Sequence, residues 1–421
     1  MVAKFEKLKL PSHGTMGGVS FAATDVLLAE QPRIILFGGQ RQGISGQLWS
    51  FEQSSGEGWM QCIPPEGAPP GPAPRTQHTL TTIGDEPQST LLLFGGFALN
   101  IGCVNDLWRC RIDIDPDAGM PAPSWEQLEP TGEPPAPRYG HSATVLNGAT
   151  IVVVGGQDGT TQFNDVHLLG SEACAWSQPQ VSGPPPSVRM KHTATACGGA
   201  SSSSLVLFGG FNRADRALND FHKLDVSADG ASATWSPLAP EPPVGQKGIE
   251  PRAMHAAAPT SDGAFLFIHG GYDGTKPLND LWLLDVHGMN IKPLSVETPA
   301  PEVSAPSRAR AICHEARSGA IRRDQARSGA IRRDQAPSAM RRRDPTPRPA
   351  TRARAASQAR SRHTAHMVGD LLYLLGGYDG AKPIGGDVYQ LDCSDPAALA
   401  EGGGEGGEKK KEEEKKDDDD E

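Results

Sequence analysis

Residues 189–238, RMKHTATACGGASSSSLVLFGGFNRADRALNDFHKLDVSADGASATWSPL, hold in one stretch the signals that decide the fold. Arg189 and His192 open it as R-x-x-H, and an apolar run, SLVLF, ends at Gly209-Gly210. Such a run reads as a buried strand entering a turn that needs positive φ or a close backbone approach. Asn219-Asp220 then opens a second apolar strand, NDFHKLD, and Trp235 begins a W-x-x-L element, WSPL.

Outward from this stretch the same order recurs. Gly-Gly doublets that end apolar runs stand at Gly38, Gly95, Gly155, Gly209, Gly270 and Gly376, at intervals of 57, 60, 54, 61 and 106 residues. The strand opening returns at Asn105, Asn164, Asn219 and Asn279, and more loosely as GDVYQLD from Gly386. WEQL begins at Trp125, with weaker cousins at Trp59 and Trp176. Every doublet from the second onward is preceded by R-x-x-H: Arg75/His78, Arg138/His141, Arg189/His192, Arg252/His255 and Arg360/His363. Four strands per unit, repeated six times, describe the blades of a propeller.

Composition agrees. The 421 residues include 49 Gly and 37 Pro, about a fifth of the chain against roughly 12% in average proteins, which excludes a mainly helical protein. No apolar run approaches the roughly 18 residues that cross a bilayer. The N-terminal MVAKFEKLKLPSHG has no apolar core of a secretory signal. Seven Cys without a C-x-x-C pair suggest reduced thiols and neither a disulfide framework nor a zinc site. The expected location is the cytoplasm, with the nucleus as the second choice.

The ordered set of R-x-x-H, apolar run, Gly-Gly, N-D-l-w-x-l-D and W-x-x-L resembles the kelch repeat over nearly all of residues 5–395. Pro-rich lead-ins such as PPAPRYGH and PPPSVRMKH look most like kelch proteins of the Rab-effector and host-cell-factor type. The resemblance implies an all-β, six-bladed propeller. Its sixth unit stops after its third strand, YQLDCSDP, while Phe5-Glu6-Lys7-Leu8 aligns with WEQL of Trp125. The N-terminus is therefore expected to supply the outer strand of blade six, which removes two sheet edges. The expected division is 1–304 for blades one to five with the closing strand, 305–359 for an Arg-rich insert, 360–396 for blade six and 397–421 for a charged tail.

A residue repeated in every blade cannot recognise an asymmetric ligand, so recurrence argues for structure. The five R-x-x-H histidines open the same strand in different blades, too far apart to share one ion, and read as hydrogen-bonded structural groups. The Asn-Asp pairs read as strand-entry groups bonding nearby backbone. His269 reads as buried and satisfied, and the Trp residues as blade core. No metal site and no cofactor are expected.

Positions that vary between blades on one face are the better candidates for recognition. The loops from second to third strand share a face with the loops between blades. There the doublets lead into Gln40-Arg41, Phe97, Gln157-Asp158, Phe211 with Arg213, Tyr272-Asp273 and Tyr378-Asp379. In kelch recognition proteins the residue after Gly-Gly commonly faces the partner, so the resemblance implies partner binding by Gln40, Arg41, Phe97, Gln157, Phe211, Arg213, Tyr272 and Tyr378. Aromatics and Arg suit capture of a protein or peptide. The Asp residues in these turns, Asp158, Asp273 and Asp379, read as turn formers.

Two charged segments stand apart from an otherwise acidic chain of net charge −10. Residues 305–362 hold 16 Arg, no Lys and four acids, and include the tandem decamer ARSGAIRRDQ at Ala316 and Ala326. Without an aromatic it cannot bury a core or stack on bases, so any nucleic-acid contact is expected to be nonspecific. The tail EGGGEGGEKKKEEEKKDDDDE is low-complexity, and both segments are expected to be disordered. Two functions compete. The first is a non-enzymatic, monomeric scaffold that binds a protein partner in trafficking or as a substrate-recognition adaptor. The second is a kelch-fold enzyme acting on a carbohydrate-like substrate. The chain has no nucleophile elbow, P-loop or H-E-x-x-H, and its five Tyr are too few for a copper oxidase site explained apart from the repeat. The scaffold is the favoured reading.

Overall fold

A computed structural model describes residues 3–8, 19–28, 31–52, 58–84, 90–114, 120–199, 202–297, 359–384, 386–396 and 399. The expected Arg-rich insert, apart from residue 359, and the charged tail beyond residue 399 lie outside the described residues. No described helix is long and apolar enough to cross a membrane.

The apolar runs become the most buried strands. In blade five the chain passes through Ala256–Pro259, Phe265–Tyr272, Pro277–Asp285 and Asn290–Leu294 as an antiparallel meander. Leu266, Phe267 and Ile268 are at most 1% exposed because both faces of the blade are covered by neighbouring blades. Among the described residues six such meanders form, giving the six-bladed kelch-type propeller. Their first strands, Ala22–Leu28, Thr79–Ile83, Ser142–Leu146, Thr193–Ala196, Ala256–Pro259 and Thr364–Val368, touch one another in sequence, and the last returns to the first. They line the axis. Trp59, Trp125, Trp176 and Trp235 are buried between blades, as blade-core residues should be.

The doublets exist because two blades approach there. Gly38 has φ +72°, and a Cβ on it would lie 2.5 Å from the Arg75 carbonyl oxygen of the next blade. That carbonyl accepts the Gly39 N–H at 3.0 Å, and the pattern repeats from Gly96 to Arg138, Gly156 to Arg189, Gly210 to Arg252 and Gly271 to Arg360.

The side chains of the same arginines turn back into their own blades. Arg75, Arg138, Arg189 and Arg252 are at most 1% exposed and fork onto Asp106, Asp165, Asp220 and Asp280 at 2.6–2.8 Å. Each also donates to the carbonyl of the first doublet glycine. Asn105, Asn164 and Asn219 donate to the backbone carbonyls of Pro135, Pro186 and Ile249. The Asp differs from the sequence reading, because a buried guanidinium needs a counter-charge more than a turn needs an acceptor. A second donor completes each carboxylate: the indole N–H of Trp108 or Trp282, or the imidazole of His167 or His222.

The recurrent histidines link blades. His141, His192 and His255 place Nε2 at 2.8–3.1 Å from the hydroxyls of Thr79, Ser142 and Thr193 in the preceding blade. Blade five has Ala256 at that position, and His269 substitutes, its Nδ1 lying 2.9 Å from His363 Nε2. Burial, then the neighbouring arginines, depress these imidazoles, to about 3 for His78, His192 and His269. They are structural and neutral.

The N-terminal segment closes blade six. Glu6–Lys7 pairs antiparallel with Val388–Asp392, and the Leu8 N–H bonds the Val388 carbonyl at 3.0 Å. Phe5 is fully buried among Phe267, Leu281, Leu372 and Leu391 and meets His269 edge-on at 5.9 Å. Lys7 Nζ lies 2.8 Å from Asp387, the residue that corresponds to the clamp carboxylates of the other blades. Ala3–Lys4 also runs parallel to Val296–Glu297, so the closing segment is held on two sides.

Candidate partner-binding face

The doublets end on the face that also receives the lead-ins between blades, so two columns of varying residues meet there. The residue after each doublet pairs with the residue after the lead-in arginine: Phe97 with Thr76, Gln157 with Tyr139, Phe211 with Met190, Tyr272 with Ala253 and Tyr378 with Ser361. In blade one Gln40 pairs with Val19.

The next lead-in residue forms a third column, which the sequence reading did not single out. Ser20, Gln77, Gly140, Lys191, Met254 and Arg362 all have left-handed backbone, at φ +56° to +67°. Each donates its N–H to the carbonyl of the same residue in the blade before it, at 2.7–3.3 Å, and Ser20 closes the circle onto Arg362. Six blades thus share one ring of backbone hydrogen bonds around the axis. The ring fixes the backbone and leaves the side chains free to differ.

Those side chains are unequal. Lys191, Met254 and Arg362 occupy three consecutive blades, and Arg362 Nε donates to Met254 Sδ at 3.3 Å. Burial, and then the nearby Arg362 charge, lower the Lys191 ammonium to about 8. On the other side stand Gln77, whose Oε1 is buried without a hydrogen-bond partner, and Gly140, which has no side chain.

The eight candidates divide by exposure. Gln40 and Arg41 are exposed, as is Phe97 at 39%, whereas Phe211, Tyr272 and Tyr378 are half-buried. Gln157 is 7% exposed, and its amide donates to the Tyr139 hydroxyl. Arg213 is exposed but engaged, donating to the Thr160 carbonyl at 2.5 Å and the Gly159 carbonyl at 2.7 Å across the blade boundary. Tyr139 meets Phe97 edge-on at 6.0 Å, and Leu99 and Ile101 extend the apolar surface at 41% and 66% exposure. Asp158, Asp273 and Asp379 each accept two backbone N–H bonds within their own turn, as turn formers do. Among the described residues no three His, Cys, Asp or Glu side chains gather as metal ligands.

Known proteins place this arrangement in a family. Residues 9–200 and 172–317 match the KLHDC2/KLHL20/DRC7 Kelch-repeats domain, and residues 359–395 match the Kelch motif. The chain is 31% identical over 219 residues to the Rab9 effector protein with kelch motifs of Xenopus laevis, covering 51% of this chain and 54% of that one. It is 30% identical over 227 residues to the flagellar outer-arm dynein alpha chain of Chlamydomonas reinhardtii, covering 52% and 5%. Tip elongation aberrant protein 1 of Schizosaccharomyces pombe is 31% identical over 216 residues, covering 50% and 17%. The chain thus spans about half or less of the length of these relatives. Kelch repeats of this kind form protein-interaction scaffolds, and a six-bladed meander with an Arg-Asp clamp in four blades and a doublet in all six identifies the chain as a member of the kelch-repeat β-propeller family.

Proposed function

We propose that this protein is a non-enzymatic scaffold that captures a protein or peptide partner on the face where the doublets end. The observation that carries the reading is the contrast between columns. The Arg, His and Gly-Gly positions repeat and are consumed in contacts within and between blades, whereas the post-doublet and ring positions differ in charge, size and aromaticity. A symmetric frame with unequal side chains is what recognition of an asymmetric partner requires. A Rab-type partner, of the kind in the name of the Xenopus laevis relative, is the first class to test.

The test is a Phe97→Ala, Tyr272→Ala, Tyr378→Ala variant, which removes three rings that are exposed or half-buried. Each central truncation costs about 2 kcal/mol or more of binding, so two central rings would weaken capture about a thousandfold. Affinity purification followed by mass spectrometry should lose partners recovered with wild type, while thermal unfolding stays intact. Retention of every partner by a folded variant would place recognition elsewhere.

A further inference from the structure

The axial mouth is polarised, and its two halves specify the chemistry of an occupant. On the cationic half, Lys191 is half-buried and the charge that acts on it is the like-signed Arg362. Arg362 itself contacts a thioether and lies 6.0 Å from the Tyr378 ring centroid. Lys191 is partly desolvated and lies in the field of the like charge on the exposed Arg362, and an anion between the two would offset both effects on Lys191. The acids of this face do not supply it, because Asp158, Asp273 and Asp379 are turned onto their own backbone N–H groups.

The opposite half carries no charge in the ring, only Ser20, Gln77 and Gly140. Beside them lie Phe97, Tyr139, Leu99 and Ile101, an apolar surface formed where the blade-two hairpin runs past its doublet. Gly140 joins the halves, since a Cβ there would come within 3.4 Å of Lys191 Cγ. The six ring N–H groups already donate to the six ring carbonyls, so the mouth offers side-chain donors alone. An ammonium and a guanidinium suit the two oxygens of a carboxylate, whereas phosphate sites usually add converging backbone N–H groups.

Building on the loop-face reading, we propose that the mouth holds an extended protein segment, with an Asp or Glu carboxylate on Lys191 and Arg362 and a bulky apolar side chain against Phe97 and Tyr139. Charge complementarity selects the first contact and apolar burial the second.

The experiment immobilises the full-length protein and presents positional-scanning octapeptides with Glu, phosphoserine, Lys, Leu, Phe or Ala fixed at each position. The expected selection is Glu at one position and Leu or Phe at another. Lys191→Glu with Arg362→Glu should shift the first preference from Glu to Lys by about tenfold or more. Should that pair fail to fold, Lys191→Gln with Arg362→Gln should abolish the Glu preference. Phe97→Ala should remove the apolar preference and leave Glu selected. A Glu preference that survives charge reversal would assign acid binding to another basic segment and overturn the proposal, as would phosphoserine outcompeting Glu. Peptides that depend on Tyr272 and Tyr378 yet ignore Glu would overturn the polarised mouth and leave the loop-face reading standing. Retention of no peptide would overturn both.

Discussion

Ala22→Thr should stabilise this protein by completing a link that the repeat leaves open in one blade. In blades two, three and four the residue after the first-strand lead-in is Thr79, Ser142 or Thr193, and its hydroxyl meets the imidazole of the next blade. Ala22 holds the same register in blade one, opposite Phe37 as Thr79 is opposite Phe94. Neither ring nitrogen of His78 has a hydrogen bond of good geometry, and the Phe37 backbone is its remaining polar neighbour. A net hydrogen bond contributes about 0.5–1.5 kcal/mol, and relief of an unsatisfied buried group up to about 1–3 kcal/mol. Ordering the new side chain reduces this, so about 1 kcal/mol is expected. For a propeller of this size that corresponds to roughly 1–2 °C in melting temperature. Calorimetry should compare Ala22→Thr with Ala22→Val, which adds similar volume without a hydroxyl, each with and without His78→Phe. The reasoning fails if Val stabilises as much as Thr, or if the benefit of Thr persists without His78.

Two further outcomes follow from the packing and the titration. Phe5→Ala removes a fully buried ring from the blade-six core and should cost about 3–5 kcal/mol, with protease cutting first in blade six; unchanged melting and an unchanged cleavage pattern would remove the closure account. Six imidazoles, His78, His141, His192, His255, His269 and His363, are held below their ordinary value by burial. The unfolded chain therefore binds their protons first, so stability is complete above about pH 6.5 and falls as pH drops toward the folded values. At pH 5.5, below the unfolded imidazole value, each costs on the order of 1 kcal/mol and the six together several kcal/mol. Urea unfolding at pH 7.5, 6.5 and 5.5 would reveal this, and a flat profile across that range would contradict it.

The sequence makes the frame readable because each blade repeats the same contacts. The six apolar runs with their doublets, the buried tryptophans, the closing strand at Phe5 and the structural histidines all appear where the repeat put them. The Arg-Asp clamp was harder, since Arg75 and Asp106 are 31 residues apart and either alone has simpler readings. The ring column was hidden for another reason. Its residues fill the variable position of R-x-x-H, and nothing about Lys191 or Arg362 as a letter reveals a shared left-handed backbone. Blade one could have exposed both features, because it has Phe21 in the histidine place and Gly46-Gln47 in place of Asn-Asp. Arg and Asp vanish there together. Among the recognition candidates, exposure depended on neighbours that only the fold supplies: Tyr139 covers Gln157, and the turn carbonyls at Gly159 and Thr160 occupy Arg213.

The closing strand also sets a clock. Lys7 is synthesised well before its partner Asp387, which is 380 residues further along the chain. At about 5–20 residues per second that separation takes roughly 20 to 75 s to synthesise. Throughout it Phe5 has no blade-six core to enter, and the five earlier blades present an open circle with an unfilled flank at each end. The growing chain must keep the apolar segment around Phe5 away from wrong partners until blade six has been made. Burial of Phe5 is therefore the event that separates a finished molecule from an unfinished one, and its protection from labelling would time the end of folding on the ribosome.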